Sequence, residues 1–247
     1  RTAPAPPLPP SLHPSDSHRS TLQKEFGINV SQDNQAAVTA DVIVLAVKPQ
    51  VMKTVCECLA GQIPANSLII SIAAGVTCDS LKTWLGEQTA IIRCMPNTPA
   101  LVQEGASALF ASTRVNDEQK ELAEAILSAV GIVTWVDSEA LIDTVTAVSG
   151  SGPAYFFLLF EAMIESAVEQ GLSPETARSL VLQTGLGAAK LAQGSADNVV
   201  ELRLKATSPG GPTERSTQSF ETNGLTPNVK QTIPAQPPTQ TQRRHTP

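Results

Sequence analysis

The run Asp41-Val42-Ile43-Val44-Leu45-Ala46-Val47-Lys48 decides the fold. A strand with one face in water alternates apolar and polar residues, and this run does not. Its near-continuous β-branched character reads as a strand buried on both faces, as in a parallel sheet covered by helices. Two more runs of this kind follow at 68–72 and 90–94, and a fourth strand is read at 132–136. Helical spacing fills the intervals. Val51, Val55 and Leu59 predict a helix over 51–59, a shorter turn is read at 80–85, and Leu122, Ile126 and Val130 predict a helix over 117–130. Alternating strands and helices imply an open α/β sheet with right-handed crossovers.

After Ser138 the strands stop. Residues 139–148 read as helical. Ser151-Gly152-Pro153 then opens a long helix, with proline in the first turn where a missing N–H costs nothing. That helix carries Phe156, Leu159, Phe160, Met163, Ile164 and Ala167 and ends at Gly171. Ser173-Pro174-Glu175 starts the next one, which runs to about Leu191. It contains Gly185 and Gly187, each weakening it by roughly 1 kcal/mol, a cost that close helix packing would offset. Proline marks the ends: of 19 prolines, six lie in residues 1–20 and seven in 205–247. The organisation predicted is a disordered Pro-rich segment at 1–20, an α/β domain at 21–147, a helical domain at 148–225 and a disordered tail at 226–247.

Composition excludes several function classes. The 247 residues are 41% hydrophobic and 16% charged, with a formal net charge of −6. A general nucleic-acid or membrane-surface binder needs a positive field. The apolar runs fall short of the roughly 18–20 residues of a membrane span. No basic start followed by an apolar stretch marks a secretory signal. His13, His18 and His245 all lie in the Pro-rich ends, so a Ser-His-Asp or Cys-His mechanism in the core has no base. Cys56, Cys58, Cys78 and Cys94 lack zinc-type spacing and read as reduced thiols of a cytoplasmic protein.

Four loops carry chemistry. Ala46-Val47-Lys48-Pro49-Gln50 ends a buried strand in a lysine. Ser71-Ile72-Ala73-Ala74-Gly75 puts small residues at a strand end, where a flat ligand can approach the backbone. Arg93-Cys94-Met95-Pro96-Asn97-Thr98-Pro99 sets Asn97, a donor and an acceptor, in a rigid turn. In open α/β sheets ligands bind at the carboxyl ends of strands, where these three sit. The fourth, Ser149-Gly150-Ser151-Gly152-Pro153-Ala154-Tyr155, suits either a hinge or an anion site at a helix start. A fifth segment, Thr207-Ser208-Pro209-Gly210-Gly211-Pro212-Thr213, exposes backbone N–H groups that suit a carboxylate.

In order, V-K-P-Q, S-I-A-A-G, R-C-M-P-N-T-P, V-S-G-S-G-P-A-Y and T-S-P-G-G-x-T resemble the pyrroline-5-carboxylate reductase family over residues 22–225. The resemblance implies an α/β Rossmann-like dinucleotide-binding domain followed by an all-helical dimerisation and substrate domain. It implies NADPH or NADH as cofactor, lined by Asn34, Val47, Lys48, Ala73, Ala74 and Asn97. It also implies a small-molecule substrate, a cyclic imine with a carboxylate, near Glu139, Ser151, Gly152, Gly210, Gly211 and Thr213. Thr213 would serve catalysis by hydrogen-bonding the ring nitrogen. A homo-oligomer is implied, with neither nucleic acid, membrane nor metal as partner.

Two departures from the family pattern qualify these expectations. No glycine precedes Gly27, so the family's first βα unit with its glycine-rich turn is read as missing, and no second strand is read in residues 1–20. Pro212 removes one backbone donor at the anion segment, and the sequence after Leu225 departs from a long dimer-forming helix. The alternatives to an active reductase are therefore a catalytically impaired relative with weak NADPH binding, and another nicotinamide-dependent reductase of the same architecture.

Overall fold

The computed structural model describes residues 11–13 and 15–233. The chain divides between Ser149 and Gly150 into two units. The first opens with strand β1 (Ser11–Leu12), helix α1 (Asp16–Phe26) and strand β2 (Val30–Ser31), the two short strands pairing in parallel. Ser15 caps α1 by accepting from the His18 N–H, and Gly27, with φ at 65°, ends it. Prolines at the start of the chain do not prevent this unit, because the stretch from Ser15 to Gly27 carries its own start and stop signals. Disorder across residues 1–20 is thus corrected for residues 11–13 and 15–20, and a second parallel strand exists where none was read. Residues 1–10 lie outside the described residues.

The main sheet follows. Strands β3 (Val42–Leu45), β4 (Leu68–Ser71), β5 (Ala90–Met95), β6 (Gly105–Ala111) and β7 (Gly131–Trp135) lie side by side in that order. β3, β4 and β5 are parallel, with Leu45, Ser71 and Arg93 at one level. β6 runs antiparallel to β5, and β7 parallel to β6. Residues 96–104 form a 3₁₀ turn at Thr98–Val102 with Gln103 at φ 62°, too short a connection for a crossover helix, so the chain returns antiparallel.

Both faces of the centre are covered. Ile43, Leu45, Ile69 and Ile91 meet Met52, Cys56 and Leu59 of α2 (Pro49–Leu59) and Leu81 and Leu85 of α3 (Cys78–Leu85). Leu68, Ile70, Ile92, Cys94 and Leu109 meet Ala123 and Leu127 of α4 (Asp117–Ser128). Each such aliphatic side chain contributes about 1.5–3 kcal/mol by leaving water. Every residue of β4 and β5 is buried. β3 differs from expectation: it is the edge of this sheet, and Val44 is 49% exposed.

The expected helix over 139–148 is two elements, α5 (Leu141–Val145) and a π-helical turn at Thr146–Gly150. The second unit holds α6 (Gly152–Glu169), α7 (Pro174–Gly194), α8 (Val199–Lys205), α9 (Pro212–Thr222) and α10 (Leu225–Thr232). α6 and α7 pack together, with the Phe160 ring where a Cβ on Gly185 would stand, at 2.6 Å. Gly187 faces open space, so close packing explains only one of the two glycines. α10 corrects the expected disorder of 226–247 for its own residues; those from 234 onward lie outside the described residues. Among the described residues one stretch, Leu141–Glu169, is long and apolar enough to cross a membrane by length and composition alone, while its uninterrupted apolar runs remain short, as expected.

Candidate active site

The level register of Leu45, Ser71 and Arg93 puts the turns after β3, β4 and β5 side by side on one edge of the sheet. Neighbouring strands are about 4.8 Å apart, so three turns line a strip about 10 Å wide. In the first turn Val47 packs on the core and Lys48 is the residue before α2, in extended backbone, with Pro49 as the first helical residue. No ion pair engages Lys48 among the described residues, which leaves a positive charge at the positive end of α2. In the second turn Ala73 is buried, its N–H donating to Ser71 Oγ at 3.4 Å, and Ala74 packs beside Met95, Ala108 and Ile142. Asn34 opens the 3₁₀ turn Asn34–Ala37, capped by Asp33. These small residues and the lysine suit the nicotinamide-ribose part of a dinucleotide, where a flat ring needs close backbone approach and the linked phosphates need positive charge.

In the third turn the Asn97 side chain is engaged on both sides. Its Nδ2 donates to the Ser149 carbonyl at 3.1 Å, and its Oδ1 accepts the Ala106 N–H at 2.9 Å. Glu139, between β7 and α5, is held by a residue that sequence reasoning gave no role. Arg93 Nη1 donates to Glu139 Oε1 at 2.7 Å, and the Cys78 N–H at the start of α3 donates to the same oxygen at 2.7 Å. The Arg93 side chain is 4% exposed and that of Glu139 25%. The signal was present: an arginine inside Ile91-Ile92-Arg93-Cys94-Met95 must be paired if that strand is buried.

Burial pushes the thiols of this unit up. Cys78 rises to about 12, first by burial and then by the Glu139 carboxylate; Cys94 rises to about 12 by burial, against a lowering hydrogen bond from Ser107. Cys56 rises to about 11 by burial and by Glu57. None of these three is a nucleophile near neutrality. Beside the strand-end turns, a groove of about 350 Å³ runs over β6, β7 and the π turn, lined by Ala106, Ile132, Val136, Leu141 and Val148. It has no charged group and does not suit a carboxylate.

The other predicted residues belong to the second unit. Ser151 and Gly152 begin α6. Gly210, with φ at 71°, and Gly211 precede α9, whose first turn contains Pro212, Thr213 and Glu214. The Gly210 N–H donates to Glu214 Oε2 at 2.7 Å, so this segment already binds a carboxylate of its own chain. The structure therefore brings Asn97 to Ser149, and Glu139 to Arg93 and Cys78. It joins Asn34 to none of these by a hydrogen bond among the described residues.

A mostly parallel sheet with ligand-facing turns on one edge, followed by a helical unit, defines a dinucleotide-binding α/β oxidoreductase. Residues 12–75 match the family described as NADP oxidoreductase coenzyme F420-dependent, and residues 139–237 match pyrroline-5-carboxylate reductase dimerisation. The chain is 52% identical over 223 residues to the pyrroline-5-carboxylate reductase of Pseudomonas aeruginosa, covering 90% of this chain and 82% of that one. It is 38% identical to the Arabidopsis thaliana enzyme, covering 84% and 75%. Among solved structures, a pyrroline-5-carboxylate reductase of Coxiella burnetii aligns with a TM-score of 0.85 and 43% identity, covering 92% and 84%. A pyrroline carboxylate reductase of Plasmodium falciparum with NADP bound aligns with a TM-score of 0.81 and 32% identity, covering 92% and 83%. The chain belongs to the pyrroline-5-carboxylate reductase family. Coverage of 82% of the Pseudomonas aeruginosa relative does not support the alternative of a truncated, impaired relative, which rested on the absence of a glycine-rich turn before Gly27.

Proposed function

We propose that the protein reduces 1-pyrroline-5-carboxylate to L-proline with NADPH or NADH, the last step of proline synthesis. The observation that carries this reading is the level edge formed by the turns after β3, β4 and β5, in a chain 52% identical to a pyrroline-5-carboxylate reductase. Val47, Lys48, Ala73, Ala74 and the Asn97 turn would hold the reduced nicotinamide on that edge, with Asn34 toward the rest of the cofactor. When bound, the cofactor supplies the hydride. A protonated cyclic imine is already electrophilic, so the chain's own task is to orient it and exclude water.

On the second unit, the N–H groups around Gly210 and Gly211 suit the substrate carboxylate. The Gly210 N–H donating to the Glu214 carboxylate at 2.7 Å supports this reading, the substrate carboxylate then taking the place of Glu214. The Thr213 hydroxyl is assigned to the ring nitrogen, and Ser151 and Gly152 to the substrate's surroundings; on the first unit Glu139 has that part. The dimerisation match over 139–237, and the exposed Phe156, Phe157, Leu158 and Leu191, support a homo-oligomer through the second unit. Free thiols at Cys56, Cys58, Cys78 and Cys94 support a reducing compartment, the cytoplasm.

The test is the purified chain with pyrroline-5-carboxylate and NADPH or NADH, followed by cofactor oxidation and proline formation. Turnover is expected, and Thr213→Ala is expected to lower kcat/KM about 100-fold with an unchanged melting temperature. Cofactor oxidation that yields no proline would overturn the assignment.

A further inference from the structure

Arg93 and Asn97 stand four residues apart, at the end of β5 and in the turn beyond it, and each holds one end of the same segment. Arg93 grips Glu139 Oε1, which also takes the Cys78 N–H. Asn97 Nδ2 grips the Ser149 carbonyl. Between these points lie α5 and the π turn, with Ile142 plugged into the sheet against Met95 and Ala108. Thr146 and Ser149 donate their hydroxyls backward, to the Ile142 and Val145 carbonyls at 2.8 and 3.1 Å. A π turn is a wide, seldom-used coil that needs outside support. Asn97 supplies it, and through Oδ1 ties the same turn to the start of β6 at Ala106.

Stability alone does not explain the ion pair. A buried carboxylate and guanidinium gain little over an apolar pair of the same volume, whereas they fix direction. Here both donors, from β5 and from the start of α3, converge on Oε1, and Glu139 Oε2 carries no hydrogen bond among the described residues. We infer that Arg93 and Asn97 are positioning residues of the reductase, Arg93 acting through Glu139 and Asn97 through Ser149. Together they hold the segment 139–149 rigidly against the cofactor-facing edge. This rests on the proposed reaction.

The test compares Arg93→Met, Arg93→Lys, Glu139→Gln, the double variant Arg93→Met/Glu139→Gln, Asn97→Ala and Asn97→Asp, each for melting temperature, kcat, and KM for both reactants. Arg93→Met is expected to lower kcat/KM for pyrroline-5-carboxylate about 10- to 100-fold and leave KM for NADPH within about twofold. Arg93→Lys restores most of the loss. The double variant is no worse than Glu139→Gln, because Arg93 has no route except Glu139. Asn97→Asp keeps the Ala106 bond, cannot donate to Ser149, and is expected to be as impaired as Asn97→Ala. If Arg93→Met does not fold, Arg93→Lys and the two Asn97 variants carry the same comparison. Losses that multiply in the double variant, an Asn97→Asp enzyme of full activity, or variants that lose melting temperature alone would overturn the inference while leaving the reaction standing. A wild-type chain that makes no proline overturns the reaction first, and this inference with it.

Discussion

At the residue scale, glycine placement separates positions that the backbone requires from positions that merely permit it. Gly131 starts β7 at φ 148°, and a Cβ there would stand 2.0 Å from the Gly105 carbonyl oxygen on β6. Neither the backbone angle nor the neighbouring strand can yield without breaking the pairing of Gly105 with Gly131. Gly131→Ala is expected to cost more than about 4 kcal/mol, read as loss of the cooperative melting transition or of soluble protein. Gly187 in α7 meets nothing within 4 Å, so Gly187→Ala is the matched control and is expected to raise stability by up to about 1 kcal/mol. A tolerated Gly131→Ala would show that the strand pairing is not as tight as the geometry requires. The sequence named Glu139 and Asn97 as site residues but not what holds them. Spacing identifies which residues lie on turns, whereas a contact spanning 46 residues, as between Arg93 and Glu139, is set by which strands become neighbours.

At the element scale, legibility follows the strength of the local signal. β4 and β5 were evident because full burial leaves Leu68-Ile69-Ile70 and Ala90-Ile91-Ile92 as unbroken apolar runs. β6 was missed because Gly105-Ala106-Ser107-Ala108-Leu109-Phe110-Ala111 contains no β-branched residue, and its strand form comes from pairing on both sides. β1 and β2 were missed because two residues each give no period to count. α4, by contrast, declares its start: Asn116 Oδ1 accepts the Gln119 N–H at 2.8 Å, and Gln119 Oε1 accepts the Asn116 N–H at 3.1 Å. Gln119 Nε2 also reaches the Asn66 carbonyl at 3.2 Å, fastening the helix to the loop before β4. Asn116→Ala is expected to cost about 1 kcal/mol in urea unfolding, and Asn116→Asp to keep most of it. Equal losses in the two variants would mean that the cap is not what stabilises this end.

At the scale of the whole molecule, the buried thiols couple folding to pH. Cys56, Cys78 and Cys94 have ordinary values of 9.0 when unfolded and rise to about 11, about 12 and about 12 in the fold, in each case first through burial. A raised folded value means that the folded state keeps a proton that the unfolded chain releases. The contribution of these groups is therefore complete below pH 9.0 and is lost progressively as pH rises toward 11 and 12. Each thiol adds up to about 1.4 kcal/mol of destabilisation per pH unit in that window. The melting temperature is expected to hold between about pH 7 and pH 8 and to fall from about pH 9 upward, with Cys94→Ala flattening the fall. The same burial has a second readout in the native chain near neutrality. Of the four cysteines only Cys58 is exposed, so a thiol reagent should modify one equivalent quickly and the other three only as the protein unfolds. A slope unchanged by Cys94→Ala, together with rapid modification of more than one thiol, would mean that the three cysteines are not sealed from water. The covering of β4 and β5 by α2, α3 and α4, which holds the strand-end turns in register, would then be looser than this packing implies.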